Sequence, residues 1–137
     1  MERKLKHLEL IQGVINRLST SSSLLKGWSV VIVSAFLALA VHQLHSGFVY
    51  LAYIPVVVFW GLDGYFLRQE RLYRALYNQV RVKPDSDIDF SMDTTEFEGT
   101  RSVTWLSVVS SGTLVAFHGA LIVAVLTVTG IAVANGG

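Results

Sequence analysis

Lys26, Asp63 and His118 are ionisable side chains that lie within or beside strongly apolar stretches of this sequence. Such groups are costly in an apolar span, so those present are usually paired or functional. We expect Lys26 and Asp63 to form an ion pair, within one chain or between chains. We expect His118 to hydrogen-bond to a neighbouring helix. The functional alternative is a pore or gating role for all three, with Asp63 attracting cations at the inner pore mouth and His118 sensing pH.

A second candidate site is a basic stripe, which consists of Arg68, Arg71, Arg74 and Arg81. Residues 68–82 show helical periodicity, with the arginines on one side and apolar residues on the other. We also expect an i,i+4 pair between Glu70 and Arg74. The stripe can contact anionic lipid headgroups. It can also bind an anionic ligand such as a nucleotide or short single strand, with Tyr73 and Tyr77 available for stacking.

The acidic segment, residues 84–100, carries six acids and no base: Asp85, Asp87, Asp89, Asp93, Glu96 and Glu98. Five of them fit calcium-ligand positions of an EF-hand loop, but Phe90 stands where the loop needs glycine. We therefore expect no metal. The segment is either a solvated loop or an internal competitor for the basic stripe. Its four large apolar residues predict that it is docked: Ile88, Phe90, Met92 and Phe97.

Composition places these groups in a membrane protein. The chain has 137 residues, of which 52% are hydrophobic and 15% charged, and its mean hydropathy is +0.50. An average soluble domain has roughly 25% charged residues. The absence of cysteine excludes disulfides and thiolate metal sites. The sequence shows no nucleophile elbow or phosphate-binding loop, so we expect neither an enzyme nor a cofactor.

Two uncharged stretches, 27–62 and 102–137, predict three transmembrane helices. A span needs about 20 apolar residues, and the polar cluster 43–47 divides the first stretch. We predict spans at 28–44, 48–67 and 112–134. The third carries small residues at four-residue spacing that permit close helix packing: Gly112, Ala116, Ala120 and Ala124. Self-association would shield the polar groups, so we expect a homo-oligomer, with a tetramer slightly preferred.

The distribution of lysine and arginine predicts the orientation. Five of the eleven basic residues precede the first span and five follow the second. The N-terminus and residues 68–111 are therefore expected in the cytoplasm, and the C-terminus outside. Residues 4–18 predict an amphipathic helix, and the Ser/Thr run 19–23 predicts a break after it.

The predicted fold class is an all-α integral membrane protein, a homo-oligomeric bundle with three transmembrane helices. An N-terminal amphipathic helix and a cytoplasmic extension of the second span complete it. The segments are residues 1–26 (amphipathic helix and Ser-rich break), 27–67 (transmembrane hairpin), 68–111 (basic helix and acidic segment) and 112–137 (third span and short tail).

Three stretches carry a resemblance to known proteins: IQGVINRLSTSSSLLKGWSV (11–30), FWGLDGYFLRQERLYRALYNQVR (59–81) and DIDFSMDTTEF (87–97). Together they resemble small three-span bacterial membrane proteins, a family that includes the membrane effector of the Hailong anti-phage systems. The resemblance implies an oligomeric ion channel in the bacterial inner membrane that depolarises infected cells. It also implies a partner nucleotidyltransferase whose short oligodeoxyadenylate products hold the channel closed.

The residues leave two other functions open. A non-conducting adaptor would tether a cytoplasmic partner protein through residues 1–20 and 84–100. A small proton-coupled transporter would use Asp63 or His118, although the sequence lacks the internal repeat that such transporters often show.

Overall fold

The computed structural model describes residues 1–43, 46–99 and 104–134, and gives only the backbone of 42, 43 and 46–48. The described residues form four α-helices: α1 (Glu2–Gln43), α2 (Ser46–Val80), α3 (Trp105–Val109) and α4 (Gly112–Ala134). Single-turn 3₁₀ helices occupy Asp85–Asp87 and Thr95–Phe97. No strand occurs in these ranges, so the expected all-α class is confirmed.

Three of the described helices are long and apolar enough to cross a membrane, namely α1, α2 and α4. This confirms the membrane-protein class. The bounds of α4 coincide with the predicted third span, 112–134. The described part of α1 ends at Gln43, and α2 begins at Ser46. Residues 44–45, 100–103 and 135–137 of the predicted segments lie outside the described ranges.

The predicted helix break in the Ser/Thr run 19–23 is wrong, because α1 continues through it from Glu2 to Gln43. Serine and threonine each cost a helix only about 0.5 kcal/mol relative to alanine. The run contains neither glycine nor proline, which would cost more. Buried residues before the run (Ile11 and Ile15) and after it (Val33 and Ala40) fix the helix by packing.

Two compact units make up the chain. The first unit comprises Met1–Ser22 and Tyr65–Val108, and the second comprises Ser23–Gly64 and Val109–Gly137. The core of the first unit joins α1, the end of α2 and the acidic segment, with five buried residues: Ile11, Ile15, Leu76, Val80 and Ile88. The core of the second unit joins α1, α2 and α4, with six: Val33, Ala40, Val49, Ala52, Val56 and Val125.

The spacing of the buried residues along α2 and α4 follows from the sequence. In α2, Leu72, Leu76 and Val80 recur at four-residue spacing and are all buried, as the predicted apolar side of residues 68–82 requires. In α4, Leu114, His118 and Val125 are buried, while most of the remaining surface is apolar and exposed. An apolar exposed surface is what a helix needs to face lipid or another apolar helix.

Candidate functional site

Asp63 is the centre of a polar joint, formed by Lys26, Asp63 and His118 within the second unit. The Lys26 Nζ lies 2.6 Å from Asp63 Oδ2, and the His118 Nε2 lies 2.8 Å from the same oxygen. Asp63 and His118 are fully buried, whereas the Lys26 side chain is 21% exposed. The expected Lys26–Asp63 pair and the expected interhelical hydrogen bond of His118 are therefore both present.

Each member of the polar joint comes from a different spanning helix. Lys26 lies on α1, Asp63 on α2 and His118 on α4. A carboxylate accepts hydrogen bonds only, so both the ammonium and the His118 Nε2–H donate to Asp63. One carboxylate oxygen thus connects all three long helices. A buried ion is stable only when its partners are in place, so these contacts constrain how the helices pack.

Aromatic rings surround the joint. The Trp60 indole stacks on the His118 imidazole, with centroids 5.8 Å apart and 12° between the ring planes. The Trp60 indole N–H donates to the Val109 carbonyl at 2.9 Å, which ties it to the turn before α4. The Phe117 ring meets His118 edge-on and also lies 5.9 Å from the Lys26 Nζ. Lys26 therefore has a cation–π contact beside its carboxylate partner.

The His118 Nδ1 is buried and has no hydrogen-bond partner among the described residues. When a neutral ring carries its one proton on Nε2 and directs it at Asp63, this second nitrogen is a buried acceptor without a donor. Most buried polar atoms in proteins are paired, and unpaired ones often mark a functional position. The joint therefore contains one ring nitrogen that its protein surroundings leave unsatisfied.

The small-residue ladder of α4 lies on the exposed side of the protomer. Gly112, Ala116, Ala120 and Ala124 are all exposed, whereas Leu114, His118 and Val125 form the buried side of the helix. The ladder is therefore not the surface with which α4 packs inside the protomer. Its predicted role in close helix approach stays a prediction about contacts between copies.

The basic stripe lies along α2 and just beyond its end. Arg74 and Arg81 are exposed, and Arg68 and Arg71 are partly exposed. The Arg74 guanidinium donates to Glu70 Oε1 at 2.8 Å, which confirms the predicted i,i+4 pair. The Arg74 side chain remains 60% exposed in this pair. An anionic ligand on the stripe would therefore compete with one carboxylate for Arg74.

Tyr77 lies at the edge of the apolar side of α2, three residues after Arg74 and four before Arg81. It packs against the apolar core of the first unit together with Tyr73. It also borders an open groove beside α1, lined by Leu5, Leu8 and Gln12. The tyrosines therefore contribute to helix packing, and their use in base stacking stays a prediction.

The acidic segment is docked through the apolar residues Ile88, Met92 and Phe97, as predicted. Its polar contacts hold the first turns of α1. The Asp85 carboxylate accepts from the Met1 ammonium at 2.6 Å and from the Lys4 backbone N–H at 3.0 Å. Arg3 donates to the Ile88 carbonyl at 2.9 Å. Farther along, Gln79 on α2 donates to Glu96.

Three carboxylates of the acidic segment have a lowered pKa. The Met1 ammonium and then the Lys4 N–H hold the pKa of Asp85 below its usual 3.8. The Ser91 backbone N–H lowers the pKa of Asp89, with a smaller effect from the charge of Lys83. The Thr95 hydroxyl and backbone N–H lower the pKa of Asp93. Contacts with the start of α1 thus stabilise the charged form of Asp85, whereas contacts within the segment itself stabilise the charged forms of Asp89 and Asp93.

The expectation that Phe90 cannot take the conformation of the EF-hand glycine is wrong. Its φ of 56° is the left-handed conformation that an EF-hand loop requires at this position, and Phe90 adopts it without being glycine. The carboxylates themselves are not arranged for a metal. Within the described ranges, no group of three or more His, Asp or Glu side chains is placed to hold one.

Two residues close to these sites were not identified from the sequence. Trp60 has no part in the sequence-based predictions, because its stacking on His118 depends on the rotation of two helices. His7, which is 1% exposed, was treated only as part of an amphipathic helix. On a helical wheel His7 falls between the apolar residues Ile11 and Val14, which was a signal that it lies on the buried side of α1.

Removing the Lys26 ammonium should destabilise the protein strongly, because Asp63 would lose the opposite charge that compensates its burial. We expect Lys26→Met to lower the free energy of unfolding by about 3 kcal/mol. Lys26→Met/Asp63→Asn should recover most of this loss, since an amide oxygen at 63 still accepts from the His118 Nε2–H. Denaturant unfolding in detergent of the wild type, both single variants and the double variant measures the coupling. Simple additivity of the single losses would contradict a direct pair.

The lowered pKa of Asp85 predicts a pH-dependent contribution to docking. A folded-state pKa below the unfolded value stabilises the fold above about pH 4, and this contribution is lost as the pH falls through the folded value. Asp85→Asn should therefore increase amide exchange in the acidic segment at pH 7 but match the wild type near pH 2. Asp87→Asn makes the same charge change on an exposed neighbour. An equal effect of both variants at pH 7 would contradict the role of Asp85.

Comparisons with known proteins were made for the whole chain. No protein-family model matches it, and neither a curated protein nor a solved structure gives a significant match.

Proposed function

We propose that this protein is an oligomeric membrane effector that forms a gated ion channel, with an anionic (oligo)nucleotide on the cytoplasmic side as its controlling ligand. The observation that carries the proposal is the polar joint. A fully buried Asp63 is neutralised by a lysine from a second helix and hydrogen-bonded by a histidine from a third. Ionisable groups within spans are costly, and in many membrane proteins they mark ion pathways and gates.

The joint has the chemistry of a two-state gate. While Lys26 and His118 both bind Asp63 Oδ2, the carboxylate is shielded and the helices are fastened together. If the helices separate, Lys26 retains the nearby Phe117 ring as a partner, and Asp63 becomes available to attract cations. Carboxylate rings at pore mouths select cations in this way. In the proposed closed state Asp63 is paired, and in the open state it faces the ion path.

The pore is proposed to lie between copies of the chain. The described residues of one protomer form three long helices, and the core of the second unit is filled by apolar side chains. The exposed ladder of Gly112, Ala116, Ala120 and Ala124 offers a surface for close helix approach. We take a tetramer as the working assembly, because four copies can surround a narrow pore and place four Asp63 carboxylates around it.

The ligand is proposed to bind the basic stripe. The exposed guanidinium of Arg74 and its neighbours Arg68, Arg71 and Arg81 suit phosphodiester oxygens, with which arginine makes bidentate hydrogen bonds. A bound ligand would displace Glu70 from Arg74. Because α2 carries both Asp63 and the first three arginines, a change in this helix can reach the joint.

The cellular setting follows from the orientation rule and the family resemblance. Lysine and arginine predict that the N-terminus and residues 68–111 face the cytoplasm of a bacterium and that the C-terminus lies outside its inner membrane. The resemblance to Hailong membrane effectors adds the role. Loss of an oligodeoxyadenylate made by a partner nucleotidyltransferase would open the channel during phage infection and depolarise the cell.

Ion flux in proteoliposomes tests this proposal. The purified chain should conduct cations, and a short oligodeoxyadenylate added on the side of the basic stripe should reduce the flux. Arg71→Glu/Arg74→Glu should conduct but no longer respond, because two phosphate contacts become repulsive. Lys6→Glu/Arg17→Glu makes the same charge change on exposed positions of α1 and should respond normally.

Two outcomes of this assay would count against the proposal. Absence of flux with and without the oligonucleotide would overturn the channel and favour the non-conducting adaptor. Flux that the oligonucleotide reduces equally in wild type and Arg71→Glu/Arg74→Glu would remove the basic stripe as the ligand site.

A further inference from the structure

His7 lies beneath the acidic segment in the first unit and is 1% exposed. Its Nε2 is 2.8 Å from the Ser91 carbonyl oxygen. Its ring contacts the Phe90 ring, with centroids 5.6 Å apart. The segment therefore covers the imidazole, and one of its backbone carbonyls is bonded to it. Because a carbonyl only accepts, the Nε2 must carry a proton in this geometry.

The other ring nitrogen makes the contact sensitive to protonation. The His7 Nδ1 is buried and lacks a hydrogen-bond partner in the described part of the chain. In the neutral ring this nitrogen is a lone pair. In the imidazolium it becomes a second N–H, which is a buried donor with nothing to receive it. A buried donor without an acceptor is among the most destabilising polar changes a packed site can undergo.

The charges around the ring are mixed. Arg3, on the same helix, lies over the Phe90 ring and repels a second cation beneath it. Asp89 in the acidic segment is the group of opposite sign, but it is exposed, accepts from the Ser91 N–H and also faces Lys83. Water screens the exposed charge of Asp89, so this carboxylate does not compensate for a buried N–H without an acceptor. From α2, Tyr73 and Tyr77 belong to the adjoining core.

The backbone of the covering segment is strained at the point of contact. Phe90 has a φ of 56°, a left-handed conformation that is unfavourable for a residue with a side chain. Such a conformation persists only when surrounding contacts fix it. Here they include the His7 ring, the Arg3 guanidinium and the Arg3 bond to Ile88. Loss of the His7 contact would allow Phe90 to relax, which favours release.

We propose that His7 is a proton-operated latch, and that protonation of its ring releases the acidic segment from the first turns of α1. Release exposes the amphipathic side of α1 and frees the carboxylates of the segment. This device lies outside the polar joint and does not depend on the protein being a channel. It would make the cytoplasmic surface of the protein respond to mild acidification, the range in which histidine changes charge.

Amide hydrogen exchange of the full chain in nanodiscs tests the latch at pH 7.0 and 5.5, with each rate corrected for the intrinsic effect of pH. Protection within the acidic segment should fall by up to about eightfold in the wild type at pH 5.5, the limit that one histidine with an ordinary pKa in the released state sets over this range. His7→Gln keeps an N–H donor for the Ser91 carbonyl and cannot titrate, so its protection should stay constant. The lowered pKa values of Asp85, Asp89 and Asp93 keep these carboxylates ionised over this range.

Equal wild-type protection at both pH values would overturn the latch, as would an equal fall in His7→Gln. If His7→Gln fails to dock at either pH, a second measurement decides. The ring nitrogens of His7 in the wild type are followed by ¹⁵N NMR over the same range. Protonation that coincides with loss of protection supports the proposal, and loss of protection at a different pH contradicts it.

Discussion

The burial of the Asp63 carboxylate is the constraint on which the arrangement of the spanning helices depends. An ionised group with no exposed surface requires opposite charge and hydrogen-bond donors nearby. The chain supplies them from two other helices, as the Lys26 ammonium and the His118 Nε2–H. An apolar core could form in many registers, whereas these three side chains meet in only one. The polar joint therefore selects one register among helices whose other packing surfaces are apolar.

In the first unit, the charged groups are not buried as Asp63 is. There the apolar core of Ile11, Leu76 and Ile88 does the packing, and the carboxylates of the acidic segment stay near water. These carboxylates accept hydrogen bonds from backbone N–H groups, one of which belongs to the first turns of α1. They therefore stabilise this unit through hydrogen bonds formed near water and not through burial. The first unit therefore holds the acidic segment by hydrogen bonds formed near water, whereas the second unit contains the buried polar joint.

Much of the fold could be predicted from the sequence because its signals are local. The apolar stretches, the period of α2 and the Glu70–Arg74 pair depend on spacing along one helix. The Lys26–Asp63 pair could be predicted because few other partners exist for a buried charge. The uninterrupted α1 could not, since packing on both sides of residues 19–23 outweighs weak propensities. The Trp60 stack and the His7 contact depend on how separate segments meet, which spacing does not encode.

The central claim is that Asp63 is paired when the channel is closed and faces ions when it is open. The most direct test is the reversal potential of the reconstituted chain under a KCl gradient. The wild type should reverse towards the potassium equilibrium potential, and Asp63→Asn should reverse nearer zero because the carboxylates at the pore mouth are gone. Glu70→Gln removes a carboxylate elsewhere on α2 and should behave as the wild type. Identical reversal potentials for wild type and Asp63→Asn would contradict the account.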